Sequence, residues 1–168
     1  VEHFYLINND SNDNFMQVLV RYIDSGVVTL YNDTRKHSQV LLYNEIFLPV
    51  VKSQSEWVLS IDLDEFVYAM PLHTHHQQLF LPSKSKVLTI LDVLQTHPAI
   101  TNSVGVIRLP WNMFGSNGLI QQPASVREGF TKCNAISSKN GGKYIARTSA
   151  LKSMNVHFPI ILKDVNDS

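Results

Sequence analysis

"SEWVLSIDLDEFVY", residues 55–68, begins as an apolar, strand-like run and ends in three acids, Asp62, Asp64 and Glu65. Ligands of open α/β sheets bind beyond the carboxyl ends of the strands, which is where these acids fall. On an extended chain Asp62 and Asp64 share one side and Leu63 turns inward. Two carboxylates so close repel each other unless a cation lies between them. Hard divalent ions such as Mg²⁺ or Mn²⁺ prefer oxygen ligands, commonly one or two carboxylates plus substrate phosphates. The spacing therefore points to a metal that itself holds a diphosphate. The competing reading is an acidic loop exposed to solvent after a strand, because isolated D-x-D triplets are common.

Working outward, the chain before this run alternates between two periodicities. "HFYLIN" (3–8) reads as a strand, and "NNDSNDN" (8–14) as a polar loop at its end. "DNFMQVLVRYIDSG" (13–26) carries Phe15, Leu19, Tyr22 and Ile23 at helical spacing, with Asp13 as N-cap and Gly26 as the stop. "VVTLY" (27–31) is a second strand, and "SQVLLYNEIFLPVVKSQ" (38–54) a helix that Pro49 bends or interrupts. Strand, helix, strand, helix, strand predicts an α/β fold with a mostly parallel sheet flanked by helices. The texture changes after residue 68. "MPLHTHHQQLFLPSKSK" (70–86) is a long connection, and "VLTILDVLQTH" (87–97) a helix with Ile90, Leu91 and Leu94 inward. "VGVIRLP" (104–110), "SVREGFTKC" (125–133) and "KYIAR" (143–147) read as strands. The expectation is one domain over 1–168: a parallel half to residue 68, then a half richer in loops and antiparallel strands.

Composition narrows the partners. The 168 residues are 44% hydrophobic and 17% charged, enough for one domain with a core. Fourteen basic residues balance fourteen acidic ones, so bulk charge gives no argument for nucleic acid or a membrane surface. Cys133 is the single cysteine and cannot form an internal disulfide. No apolar run approaches the roughly 20 residues of a membrane span, and no signal peptide is visible. The chain starts without Met, directly in a strand-like run, as a fragment would.

Four blocks, "VEHFYLINNDSNDN", "QVLLYNEIFLPVVKSQSEWVLSIDLDEFVY", "LPWNMFGSNGLIQQP" with "VREGFTKC", and "KYIARTSALKSMNVHFP", follow one another over most of the chain. In that order they resemble glycosyltransferases with the two-halved nucleotide-sugar-binding fold called GT-A. The resemblance is strongest to family 92 and to related family-2-like enzymes of bacteria and large DNA viruses. It implies a metal-dependent, hexosyltransferase-type enzyme with Mn²⁺ or Mg²⁺ as cofactor. The donor would be a nucleotide-diphosphate sugar, UDP-sugar favoured, and the acceptor a glycan or other hydroxyl, with inversion. Residues 1–68 would be the nucleotide-sugar-binding half and 69–168 the acceptor-side half. Asp62 and Asp64 match the D-x-D pair, Asp62 also contacting the donor, and His157 in "NVHFP" matches a late metal ligand. Asp10, Lys36, Gln39 and Asn44 match donor-binding positions, and Trp111, Gly115, Ser116 and Asn117 the acceptor side. Such families begin with one more strand and helix, which would precede Val1. The localisation implied is cytoplasmic, or membrane-associated through regions outside this chain.

An inverting transfer needs a base on the acceptor hydroxyl. Between Glu65 and Lys163 the only acids are Asp92 and Glu128. Asp92 lies on an amphipathic helix and reads as solvated. Glu128, on the strand-like segment after "FGSNG", is the first candidate, against a strand-surface carboxylate paired with Arg127 or Lys132. Glu65, beside the acids, is the second, against a carboxylate bonded to a nearby loop. "HTHH" (73–76) lacks a third soft-metal ligand at a convincing spacing and reads as a solvated loop. Trp57 and Phe66 read as core. Trp111 could stack on a sugar or pack in the core. Lys143 and Arg147 either face the diphosphate or are exposed strand cations. Gly115, Gly118, Gly141 and Gly142 mark turns. Two further readings stay open: a phosphatase with D-x-D after its first strand, although Phe66 replaces the Thr or Val expected there, and a non-catalytic sugar- or nucleotide-binding module.

Overall fold

The structure, a computed structural model, describes residues 2–67, 89–98, 100, 102–133 and 138–162. The connection over 70–86, with its "HTHH", lies outside the described residues. In chain order the elements are β1 (Phe4–Asn8), α1 (Phe15–Asp24), β2 (Val28–Asn32), α2 (Gln39–Leu42), a π-turn (Tyr43–Phe47), α3 (Leu48–Gln54), β3 (Trp57–Ser60), α4 (Ile90–Thr96), β4 (Val106–Trp111), α5 (Val126–Gly129), β5 (Ser138–Arg147), a 3₁₀ turn (Thr148–Ala150), β6 (Leu151–Ser153) and β7 (Ile160–Ile161). They fall into two compact units: Val1–Ser38 with Leu63–Ser103, and Gln39–Asp62 with Val104–Ser168.

In the first unit β1 and β2 pair in parallel from Phe4↔Val28 to Asn8↔Asn32, with α1 as the connection between them. The N-cap of α1 is Asn14 rather than the expected Asp13. The Asp13 carboxylate accepts the Phe15 N–H at 3.3 Å instead, a local Asx bond just outside the helix. Arg21 in the last turn suits the negative end of the helix dipole. Asp92, expected to be solvated, works in the backbone: the Thr89 hydroxyl accepts the Asp92 N–H while the Asp92 carboxylate accepts the Thr89 N–H, a complete capping box for α4. Leu91, expected inward, is exposed, and Val93 is covered more than it is.

The second unit is built on β5. Its sheet has the order β3-β5-β4, antiparallel throughout, from Trp57↔Arg147 to Ser60↔Tyr144 on one side and from Val106↔Ala146 to Pro110↔Gly142 on the other. β3, expected as a further parallel strand, is thus antiparallel to its partner. Among the described residues β1–β2 is the one parallel pairing, so the fold is mixed α/β with short sheets. Apolar runs give the strands, but pairing direction depends on which strand arrives alongside, and β5 comes from about 80 residues later in the chain.

Pro49 does not end the helical run. Proline lacks an N–H and its ring presses on the carbonyl four residues back. The helix meets this by widening: Tyr43–Phe47 form a π-turn, the Leu48 N–H reaches back to the Tyr43 carbonyl, and α3 continues to Gln54. The unit's buried apolar residues are Leu42, Val51, Tyr144, Ile145, Ala146, Leu151 and Met154. Side chains fasten the helix to the chain after β5. Lys52 Nζ donates to the Leu151 carbonyl at 2.8 Å, and the Thr148 hydroxyl donates to Ser55 O. Burial pushes the Tyr144 hydroxyl pKa up, while the Asn155 backbone and Ser60 pull the other way.

Residues 125–133 are not a strand. Ser125 caps α5, its hydroxyl accepting the Glu128 N–H at 3.4 Å, and the ladder contact in this stretch, among the described residues, is the single bridge Phe114↔Cys133. The S-x-x-E pattern at 125–128 is a helix-start signal that outweighs the β-branched and aromatic residues around it.

Candidate functional site

At the end of β3 the chain does not stay extended. It turns at Leu63 and Asp64, so the simple alternation that put both acids on one side and Leu63 inward does not hold. Leu63 is 91% exposed and Phe66, expected in the core, 58%. Asp62 belongs to the second unit and Asp64 to the first. Asp64 is exposed, and Glu65 half-buried.

In the second unit the Asp62 carboxylate is held by Lys143, whose Nζ lies 2.7 Å from Oδ2. Lys143 is not an exposed strand cation, one of the two expectations for it: its side chain is 4% exposed, against 40% for Asp62. A buried ammonium requires a hydrogen-bonded counter-charge, and Asp62 supplies one. Arg147 is also engaged. It pairs with Glu56, donates from Nε to the Val104 carbonyl at 3.2 Å and lies 4.2 Å over the Trp57 ring.

One residue before Lys143, the Gly142 carbonyl lies 3.2 Å from His157 Nδ1. With the proton on Nδ1 in that contact, Nε2 is the nitrogen with a lone pair to offer, the arrangement typical of ligating histidines. The His157 ring meets Trp111 edge to face, centroids 5.2 Å apart at 87°. Trp111 follows a break in register: Pro110 pairs with Gly142, but Trp111 with Ser138. This bulge brings the Trp111 ring over the β5 backbone, where a Cβ on Gly141 would fall 2.4 Å from it. Gly142 has φ 151°, and a Cβ there would lie 2.1 Å from the Leu109 carbonyl oxygen. These two glycines, expected to mark turns, stand within a strand as points of close approach.

Three of the positions expected on the acceptor side, Gly115, Ser116 and Asn117, lie in the loop after β4. Gly115 and Ser116 are exposed, and Asn117 sits in the left-handed region at φ 56°. Asn117 Nδ2 donates to Gly129 O at 2.7 Å and Thr131 Oγ1 at 3.0 Å, and its Oδ1 accepts the Lys132 N–H at 3.1 Å. Glu128 is exposed at the first turn of α5, and no ion pair joins it to Arg127 or Lys132 among the described residues. Gln39 opens α2 and donates to the Tyr43 hydroxyl at 3.1 Å. Asn44 clamps Met154: Nδ2 donates to its carbonyl at 2.9 Å and Oδ1 accepts its N–H at 2.8 Å.

In the first unit the polar residues gather at the carboxyl ends of β1 and β2. Asn8 Nδ2 donates to Asn32 Oδ1 at 2.9 Å, and Asn9 Nδ2 to the carbonyls of Asp33 and Arg35 at 2.6 and 3.0 Å. Asp10 is exposed at φ 62°, and Lys36 is exposed in the following loop. The Arg35 side chain, then its backbone N–H, holds the Asp33 carboxyl below the usual carboxylate range.

Sequence reasoning left Lys143 undecided and gave Gly142 the wrong role. The signal was the pair Gly141-Gly142 directly before a lysine at the start of a predicted strand, where two glycines weaken a strand unless a neighbour must come close. Among the described residues no three His, Cys, Asp or Glu side chains gather closely enough to hold a metal ion, and no helix is long and apolar enough to cross a membrane.

The model of the family described as Glycosyltransferase family 92 matches residues 1–165. No curated protein and no solved structure matches the chain.

Proposed function

As a member of glycosyltransferase family 92 the chain is a glycosyltransferase, acting on a sugar donor and an acceptor, and we propose that it moves the sugar from a nucleotide-diphosphate carrier to a hydroxyl with the help of a divalent cation and with inversion. The observation that carries this reading is Asp62, held at the end of β3 by a buried ammonium. Family membership sets the phosphatase reading aside. The β1–α1–β2 crossover, with polar side chains at the carboxyl ends of its strands, supports a GT-A-like nucleotide half.

The donor chemistry at these positions fits a hard divalent ion. Asp62 and Asp64 offer carboxylate oxygens, and His157, anchored through Nδ1, offers Nε2. These residues would hold Mn²⁺ or Mg²⁺, which when bound offsets the charge that builds on a departing diphosphate. The remaining work falls to the chain's own groups. Asp10, Lys36, Gln39 and Asn44 bind the donor, and Asn44 also ties its own helix to Met154. Trp111, with Gly115, Ser116 and Asn117, orients the acceptor. Glu128, exposed and unpaired with its neighbouring cations, takes the acceptor proton, and Glu65 is the second candidate. Uridine diphosphate is the first nucleotide to test.

Calorimetric titration with uridine diphosphate decides the donor reading. Binding is expected to require Mn²⁺ and to vanish in Asp64→Ala. Binding that ignores both Mn²⁺ and Asp64 would sink it. Donor hydrolysis in the same preparation separates an enzyme from a binding module.

A further inference from the structure

We infer that the Gly142-Lys143 step of β5 is the positioning element of the proposed donor site, with Lys143 setting Asp62 and the Gly142 carbonyl setting His157. The inference rests on the donor reading above and goes beyond it, since neither residue belongs to the D-x-D motif.

Three observations converge on two consecutive residues. The Lys143 ammonium is buried and lies 2.7 Å from Asp62 Oδ2. A charge-assisted bond of that length fixes the direction of a carboxylate as well as its charge. The Gly142 carbonyl faces His157 Nδ1 at 3.2 Å and so selects which ring nitrogen points elsewhere. Gly142 is also the position whose Cβ would strike the Leu109 carbonyl, so β4 and β5 approach there as side chains would forbid. That approach fixes the strand carrying both contacts. At this step β5 is paired with β4, and the next residue, Tyr144, is paired with Ser60 of β3 as well, and a paired strand is a stiffer mount than a loop.

The burial asymmetry argues against a pair kept only for stability. Lys143 is enclosed while Asp62 is 40% exposed. An ion pair whose acid faces outward suits a carboxylate presented to a ligand. Removing a group that orients a ligating side chain typically costs about 10–100-fold in metal affinity.

The experiment uses the full chain, with uridine diphosphate and Mn²⁺ as probes. Lys143→Met keeps the apolar stem and removes the charge that holds Asp62 Oδ2. Its far-ultraviolet circular dichroism should match the wild type, while Mn²⁺-dependent nucleotide affinity falls by about tenfold or more. Lys143→Arg returns a positive charge and should recover part of the loss, which a structural role for the stem would not give. If Asp64→Ala abolishes binding but Lys143→Met binds within about twofold of the wild type, the positioning role is overturned and the donor reading stands. If the wild type shows no Mn²⁺-dependent binding, both fall together. A second measurement needs no folded variant: in the wild type, the side-chain ¹⁵N resonance of Lys143 should shift when Mg²⁺ and uridine diphosphate are added. A resonance that stays in place while the nucleotide binds would overturn the inference.

Discussion

Asn9 and Asn44 do the same chemistry in two different settings. Asn9 donates its amide to the carbonyls of Asp33 and Arg35, in the open at the ends of β1 and β2. Asn44 gives both ends of its amide to the backbone of Met154, beside the core that Leu42, Val51, Tyr144 and Leu151 form. In the first case the bonds shape a loop that solvent could satisfy almost as well. In the second they tie a helix to the segment that runs on to His157. The difference teaches where precision is kept. The first unit presents exposed polar loops, which suit a ligand that arrives and leaves. The second holds Asp62, His157 and Trp111 from a buried strand, which suits groups that must not move.

The strongest way to break this contrast is Gly142→Ala. Its φ of 151° disfavours any side chain, and the new Cβ would lie 2.1 Å from backbone. Positive-φ strain and overpacking together should cost about 3 kcal/mol or more, read as a fall in the urea midpoint. A cost under about 1 kcal/mol would mean that β4 and β5 can part, and that the second unit is no stiffer than the first.

The asparagine pair gives a smaller and sharper test. Asn44→Ala leaves the Met154 N–H and carbonyl without their partner, and should cost about 2–3 kcal/mol. Asn9→Ala exposes its carbonyls to water and should cost about 0.5–1 kcal/mol. Equal losses, measured by chemical denaturation of the two variants, would erase the distinction between the units.

Much of this is legible in the sequence alone, and the reasons differ by feature. β1, α1, β2 and β3 follow from local periodicity, which needs no partner to be read. So does the placing of Asp62 at a strand end. The antiparallel pairing of β3 with β5 is not legible, because Trp57 meets Arg147 across 90 positions of sequence and apolar strands carry no mark of direction. The α5 helix is legible in Ser125 and Glu128 but is outvoted by Val126 and Phe130. The turn at Leu63–Asp64 and the burial of Lys143 are hidden for one physical reason. Both depend on what a charged group finds when the chain folds, and a lysine reads as exposed until an acid is brought to it.

The smallest effect should come from the first unit's own ion pair. The Arg35 side chain hydrogen-bonds the Asp33 carboxylate, and this lowers the Asp33 pKa in the folded state. A group whose folded pKa is depressed contributes stability above its unfolded value and loses it as pH falls through the folded one. Arg35→Ala removes the guanidinium but keeps the backbone N–H that Asp33 also accepts. The variant should therefore match the wild type under acid conditions, where Asp33 is protonated in both, and lie slightly below it at neutral pH. Urea midpoints taken from about pH 2 to pH 7 follow this directly, and added salt should shrink the gap because the pair sits at the surface. A gap that widens toward low pH would reverse the sign of the linkage. It would also show that the polar cluster at the ends of β1 and β2 is held by something other than this pair, closer to the way Lys143 holds Asp62.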